Sequence, residues 1–325
     1  MNSDRRRTIA AILRVLDEAG RPLGSTKIAR SLQVVGIDLA QRMVRNYLAT
    51  MDGEGLTVNL GRAGRQLTDT GRRELAAARV IDKVGFIDAR GDELAYKMTL
   101  DLPHMRGTVI LNISTVPVTY LDDARRAMQP AVRAGLGMGR FGLIAAAGDG
   151  VPGLSVAAGE GLIGTVCSLT LNGLLCGAGV PTVSRFGGLL EMRDGKPERF
   201  THIFYYDGTT LDPIEIFIKA QMTSVGEAAR TGNGIIGASF REVPAIALPR
   251  VEKVIRQMEQ AGLGGLLVLG EPSRPLLEIP VGRGRAGLIV AAGLNLLAAV
   301  QEAGIPTTNR AMARLCEFQR LVPLV

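Results

Sequence analysis

The sequence predicts an α/β protein in two parts, a small basic module over residues 1–78 and a larger α/β domain over 80–325 assembled from two internal repeats. Three observations carry this prediction. Residues 1–80 hold 14 Lys+Arg against 8 Asp+Glu, whereas the remainder of the 325 residues holds 24 against 23. Apolar residues in the first 50 positions recur with helical spacing. Residues 107–192 return, position by position, with an offset of about 125. A hydrophobic content of 46% with 21% charged residues excludes a disordered or fibrous chain.

In the basic module, Ile9, Ile12, Leu13 and Leu16 mark one face of a helix over 4–19, with Ser3 or Asp4 available as its cap. The turn GRPLG leads to Ser25, which opens a short second helix whose inner face is Ile28, Ala29 and Leu32. A third helix is expected from Asp38 to about Asp52, with Gln41 completing a capping box. It turns Ala40, Val44, Tyr47, Leu48 and Met51 inward and shows Arg42, Arg45 and Asn46 on its other face, side chains suited to phosphate oxygens and to the edges of G and A. LTVNL (56–60) and RQLT (65–68) read as two strands around GRAGR, and TDTGRREL opens a closing helix. Arg62 and Arg65 on that Gly-rich tip suit a wing lying on a phosphate backbone. Three helices followed by a two-stranded basic wing resemble the winged helix-turn-helix family, which implies double-stranded DNA as partner and Gln41, Arg42, Arg45, Asn46, Arg62 and Arg65 as its contacts. The alternatives are a solvated helix face, protein docking or RNA contact.

The duplication in the larger domain is positional. Val116-Pro117 returns as Val243-Pro244, AGLG at 134–137 as AGLG at 261–264, GEGLIG (159–164) as GRGRAG (282–287), and AGVPTVSR (178–185) as AGIPTTNR (303–310). Each copy, about 107–192 and 234–318, reads strand, Pro turn, amphipathic helix (Leu121 to Ala134; Val251 to Ala261), buried strand, Gly loop, apolar helix, strand. That alternation argues for an α/β domain with pseudo-twofold symmetry, and its long apolar runs fit strands covered on both faces. Between the copies lies an insertion, 187–232, read as a hairpin turning at Asp194-Gly195, then LDPIEIFIKAQM as a further strand. Phe200, Phe204, Tyr205 and Tyr206 read as a packing face. The apolar stretch Leu288 to Val300 is expected as an interface helix.

The two GxGxxG strings are not dinucleotide fingerprints. They fall mid-repeat, and about 20 residues on, at 181–185 and 307–310, there is no carboxylate. With His104 and His202 alone and no G-x-S-x-G, H-E-x-x-H or Walker pattern, enzyme chemistry is not expected. Cys167, Cys176 and Cys316 are too scattered for a disulfide framework or a metal site, which points to a reducing cytoplasm. The N-terminus carries no export signal, since Asp17 and Glu18 interrupt any apolar core. The uncharged run 161–184 is broken by glycines and is not expected to span a membrane.

GLIGTVCSLTLNGLLCGAGVPTVSRFGGLLE (161–191), in a glycine-rich duplicated domain behind a winged helix, resembles the NrpR family of nitrogen-assimilation repressors. The resemblance covers nearly the whole chain. It implies a winged helix-turn-helix followed by an α/β regulatory domain, a homodimer on a palindromic operator, no cofactor, and 2-oxoglutarate as the effector that releases the DNA. A dicarboxylate wants arginine, backbone N–H groups and hydroxyls. Ser184, Arg185, Asn309 and Arg310 are therefore the first effector-binding candidates, with Thr165, Cys167 and Ser168 next, while Arg185 has the alternative of a bridge to Glu191 or Asp194. The remaining functional alternatives are a metabolic enzyme or a protein-binding scaffold carrying a winged-helix docking arm.

Overall fold

A computed structural model of the chain describes residues 3–34, 37, 39–77, 87–147, 149 and 156–325. The chain divides into two compact units, Met1–Gly85 and Phe86–Val325.

In the first unit, α1 (Ser3–Ala19), α2 (Ser25–Val34) and α3 (Gln41–Gly53) precede β1 (Thr57–Asn59), β2 (Arg65–Leu67) and α4 (Asp69–Ala77). The i, i+3, i+4 stripe closes as expected: Ile12, Leu13 and Leu16 pack with Ile28, Leu32, Val44, Leu48 and Met51 in one buried core. The strands pair antiparallel, Thr57 opposite Leu67. Gly64, at φ +106°, sits where a Cβ would lie 2.3 Å from the carbonyl oxygen of Leu23, so only glycine lets the wing bridge to that loop.

The capping box is not what starts α3. Its N-cap is Ala40, without a side-chain cap bond, and Asp38 lies outside the described residues. The side chains of Ser3 and Asp4 are likewise outside them.

The second unit opens with α5 (Ile87–Lys97), an element not anticipated from the sequence. There follow β3 (Thr108–Pro117), α6 (Leu121–Arg133), β4 (Phe141–Ala146), β5 (Glu160–Val166), α7 (Leu169–Gly177), β6 (Val183–Arg193), β7 (Lys196–Tyr205), α8 (Pro213–Lys219) and α9 (Val225–Thr231). The segment expected as the second copy runs β8 (Gly234–Pro244), α10 (Leu248–Gln260), β9 (Leu266–Leu269), β10 (Arg285–Ala291), α11 (Asn295–Glu302) and β11 (Thr308–Glu317), followed by β12 (Val322–Pro323).

These strands form two five-stranded sheets, ordered β11-β3-β5-β4-β12 and β7-β6-β8-β10-β9. The last strand of each copy leaves its own sheet and lines the first strand of the other, β6 on β8 and β11 on β3. Every pairing is antiparallel. Antiparallel sheets commonly keep one face wet, but here alternate residues enter two different cores. Ile110 and Ile163 pack with Met128 of α6 and Leu297 of α11, while Val109, Leu111 and Leu162 pack with Leu171 of α7 and Val254 of α10.

Hydrogen bonds recur at the same offset as the sequence. Cys167 N donates to Ile110 O at 2.8 Å and Ala292 N to Gly237 O at 3.0 Å; Val118 N donates to Gly159 O and Ala245 N to Gly284 O. At the head of each apolar helix a polar side chain grips the equivalent strand residue, Thr170 on the backbone of Ile110 and Asn295 on that of Gly237.

Three expectations are corrected. LDPIEIFIKAQM is not a strand: Asp212 accepts from Ile214 N at 2.8 Å and Glu215 N at 3.3 Å, Pro213 takes the first turn, and α8 follows. The GxGxxG strings are not Gly loops between strand and helix but run into strands β5 and β10, where Cβ atoms on Gly161 and Gly287 would lie 2.8 Å from Leu121 and 2.9 Å from Phe240. Leu288 to Val300 is no interface helix, because strand β10 gives way to α11 and these residues are buried within the unit. The hairpin turn at Asp194-Gly195 stands, both residues at positive φ. Among the described residues no helix is long and apolar enough to cross a membrane.

Candidate nucleic-acid interface and regulatory cavity

On α3, burial of Val44, Leu48 and Met51 turns Arg42, Arg45 and Asn46 to solvent, side by side one turn apart. Gln41 is spent differently. Its amide donates to Thr26 Oγ1 at 2.6 Å and Ser25 Oγ at 3.3 Å, so it ties α3 to the head of α2. At the wing, Arg62 is exposed on a tight turn, Gly61–Ala63, closed by Gly61 N donating to Asn59 Oδ1. Arg65 is not a free wing cation: its Nε donates to Asp52 Oδ2 at 3.1 Å, and Asp52 also takes the Thr57 hydroxyl at 2.6 Å. Arg65 and Asp52 thus lock the wing onto the C-terminal end of α3.

In the second unit, the β6–β8 register sets Ser184 opposite Arg241, and a bulge between Ser184 and Phe186 makes Arg185 the extra residue. The bulge aims Arg185 at Glu242 rather than at Glu191 or Asp194. Glu242, 3% exposed, also holds Arg285 at 3.0 Å. On the other side of the strand Arg241, 1% exposed, lines a partly open cavity of about 220 Å³ with Cys167, Ser168, Ser184 and residues of α5. Arg241 Nη1 donates to the carbonyl oxygen of Ser168 at 2.8 Å, and among the described residues its Nε has no hydrogen-bond partner. Burial lowers the Arg241 pKa.

The cavity has an acidic side. Asp88 and Asp92 line it from the first turns of α5, and the Asp92 carboxyl is held above its ordinary value by burial and by Asp88. Asp212, which caps α8, also lines it; burial and then Glu215 push its carboxyl up to about 7. Burial pushes the Cys167 thiol up to about 11, so it is a neutral thiol rather than a reactive thiolate.

Of the seven effector candidates, Cys167, Ser168 and Ser184 therefore meet at one cavity and four do not. Thr165 is fully buried within β5, where it accepts from Asn112. Arg185 is bound to Glu242. Asn309 is hydrogen-bonded to Ser114 and Thr307 along a different groove, one it lines with Glu215 and Lys219. Arg310 is exposed and acts on Glu215 and Arg90. Sequence reasoning missed Arg241, Tyr206, Asp212, Asp88 and Asp92. The signal for Arg241 was present: a charged residue in the middle of the apolar strand GIIGASFREVP.

Residues 84–322 match the family described as NrpR regulatory domains NRD1 and 2, and residues 10–75 match a ribonuclease R winged-helix domain. The global nitrogen regulator NrpRI of Methanosarcina mazei is 33% identical over 97% of this chain and 97% of its own length. The global nitrogen regulators NrpR of Methanococcus maripaludis and Methanocaldococcus jannaschii are 26% and 27% identical over 95% and 99% of this chain, which spans 54% and 55% of theirs. The crystal structure of a nitrogen repressor-like protein from Methanococcus jannaschii superposes with a TM-score of 0.63 at 28% identity, covering 74% of this chain and all of that one. A winged helix with an exposed basic face, followed by an α/β unit of this build and shared over nearly the full length with a global nitrogen regulator, is the architecture of a transcriptional regulator. The chain belongs to the NrpR family, the nitrogen regulators.

Proposed function

We propose that this protein is a repressor of nitrogen-assimilation genes, binding a palindromic operator as a homodimer and released from it by 2-oxoglutarate. The observation that carries the DNA half is the free polar face of α3, Arg42, Arg45 and Asn46, flanked by Arg62 on the wing. Support for the effector half comes from the cavity in the second unit, where Cys167, Ser168 and Ser184 gather around Arg241. We also propose that the two copies are related by a pseudo-twofold axis, a reading supported by the hydrogen bonds that recur at the sequence offset.

Release is a population shift: the effector binds better to a dimer geometry whose two α3 helices no longer meet successive major grooves, about 34 Å apart. Gel shifts of the full chain on operator DNA, with 2-oxoglutarate titrated in, test this. The expected result is loss of the complex with rising effector. A complex that persists at saturating 2-oxoglutarate overturns the effector, and failure to bind any duplex overturns the repressor.

A further inference from the structure

The half-buried arginines next to this strand are neutralised. Arg185 and Arg285 converge on Glu242, the residue next to Arg241 in β8. Successive residues of a strand face opposite sides of the sheet, so Glu242 is spent on one side and Arg241 stands on the other without it. A guanidinium has five N–H donors. Arg241 places one on Ser168 O, leaves Nε unpartnered among the described residues, is 1% exposed, and lines the cavity. A buried charge in that condition is costly unless something of opposite sign completes it.

We infer that Arg241 anchors an anion site in this cavity, taking one carboxylate of a small organic acid, and that Asp88 and Asp92 of α5 form the wall which that anion repels. The inference rests on the effector reading above and names the residue, the ligand class and the element that feels the ligand. Ser184, set opposite Arg241 by the sheet register, and Tyr206 line the same cavity, and the Ser184 hydroxyl also accepts from Asn172 Nδ2 at 3.0 Å. Arginine prefers a carboxylate because its planar fork matches two oxygens. The acidic side, Asp88, Asp92 and Asp212, disfavours a second carboxylate there, so a dicarboxylate enters with one end on Arg241 and its other end turned from α5. Repulsion between the bound anion and Asp88 and Asp92 acts on the first turns of the helix that follows the DNA-binding unit in the chain.

The test is calorimetric titration of the full chain with 2-oxoglutarate, followed by a thermal-shift panel of pyruvate, succinate and glutamate. Arg241→Gln is expected to lose roughly thirty-fold or more in affinity, with Arg241→Lys recovering part of it because the charge returns without the fork. The double variant Asp88→Asn, Asp92→Asn is expected to bind more tightly yet release DNA less completely. It also stands on its own where Arg241→Gln fails to fold, a condition that melting without ligand reveals.

Wild-type affinity in both Arg241 variants overturns the anchor and leaves 2-oxoglutarate standing. Unchanged affinity and unchanged release in the aspartate double variant overturn the wall. Stabilisation by one of the other acids that disappears with Arg241, alongside no response to 2-oxoglutarate, supports the anchor and overturns the effector. Absence of an Arg241-dependent response to every acid overturns the site.

Discussion

Arg45 and Asn46 project from a helix whose opposite side is fully buried, so their replacement by alanine leaves the core intact and removes base-edge donors. Loss of sequence-specific binding by about 1–3 kcal/mol per contact is expected, with non-specific affinity largely kept. Arg62→Ala should instead weaken binding to all duplexes and make the salt dependence shallower by about one phosphate's worth. Arg65→Ala behaves differently again: with Asp52 left without its cation and held by Thr57 alone, the winged helix melts at lower temperature while the salt slope stays the same. Gel shifts at several salt concentrations and melting curves separate the three. Asp212 gives a pH prediction. Its carboxyl titrates near 7 in the company of Glu215, Asp88, Asp92, Tyr206 and Arg241, and is neutral below that value and charged above it. An anion in the cavity is repelled only by the charged form, so effector affinity should fall as pH rises from 6 to 8, by up to about tenfold per unit above the pKa. Asp212→Asn should flatten that profile in calorimetric titrations. Because the folded-state pKa is raised, this group's own contribution to stability is present at low pH and is lost as pH rises through about 7.

Elements set by local spacing were legible in the sequence. The helices of the first unit, the wing and the Asp194-Gly195 hairpin depend on periodicity and turn chemistry within a dozen residues. The helix α8 was not, because Ile214, Ile216, Phe217 and Ile218 have the composition of a strand; the Asp-Pro start signal before them was the better guide. The cavity was half legible. Cys167, Ser168 and Ser184 were found through the family's motif, whereas Arg241 comes to them only because β6 crosses to pair with β8, a contact between distant parts of the chain. Asn295 shows what such an element depends on. Buried, it accepts from Gly237 N and donates to Gly237 O and Leu136 O, each at 2.8 Å. Asn295→Ala should cost about 2–4 kcal/mol by stranding those groups, and Thr170→Val, with the longer bonds of the first copy, about 1 kcal/mol. Chemical denaturation of the full chain measures both.

At the scale of the whole molecule, light scattering should give twice the chain mass in solution, and operator half-sites moved apart by half a helical turn should lose binding, if two copies reach DNA together. The exchange of β6 and β11 between sheets has a further outcome. Each half of the second unit lacks a strand that only the other half supplies, so neither has a closed sheet of its own. The covalent link through 207–212 joins the halves without contributing a strand, and what it provides is proximity, an effective concentration that replaces a bimolecular encounter. Cutting the chain there should leave two fragments, 1–208 and 209–325, that aggregate when made singly and assemble into a native complex when made together. Mixed in one cell, they would act as a split protein whose reconstitution depends on concentration, with the crossed strands serving as the clasp.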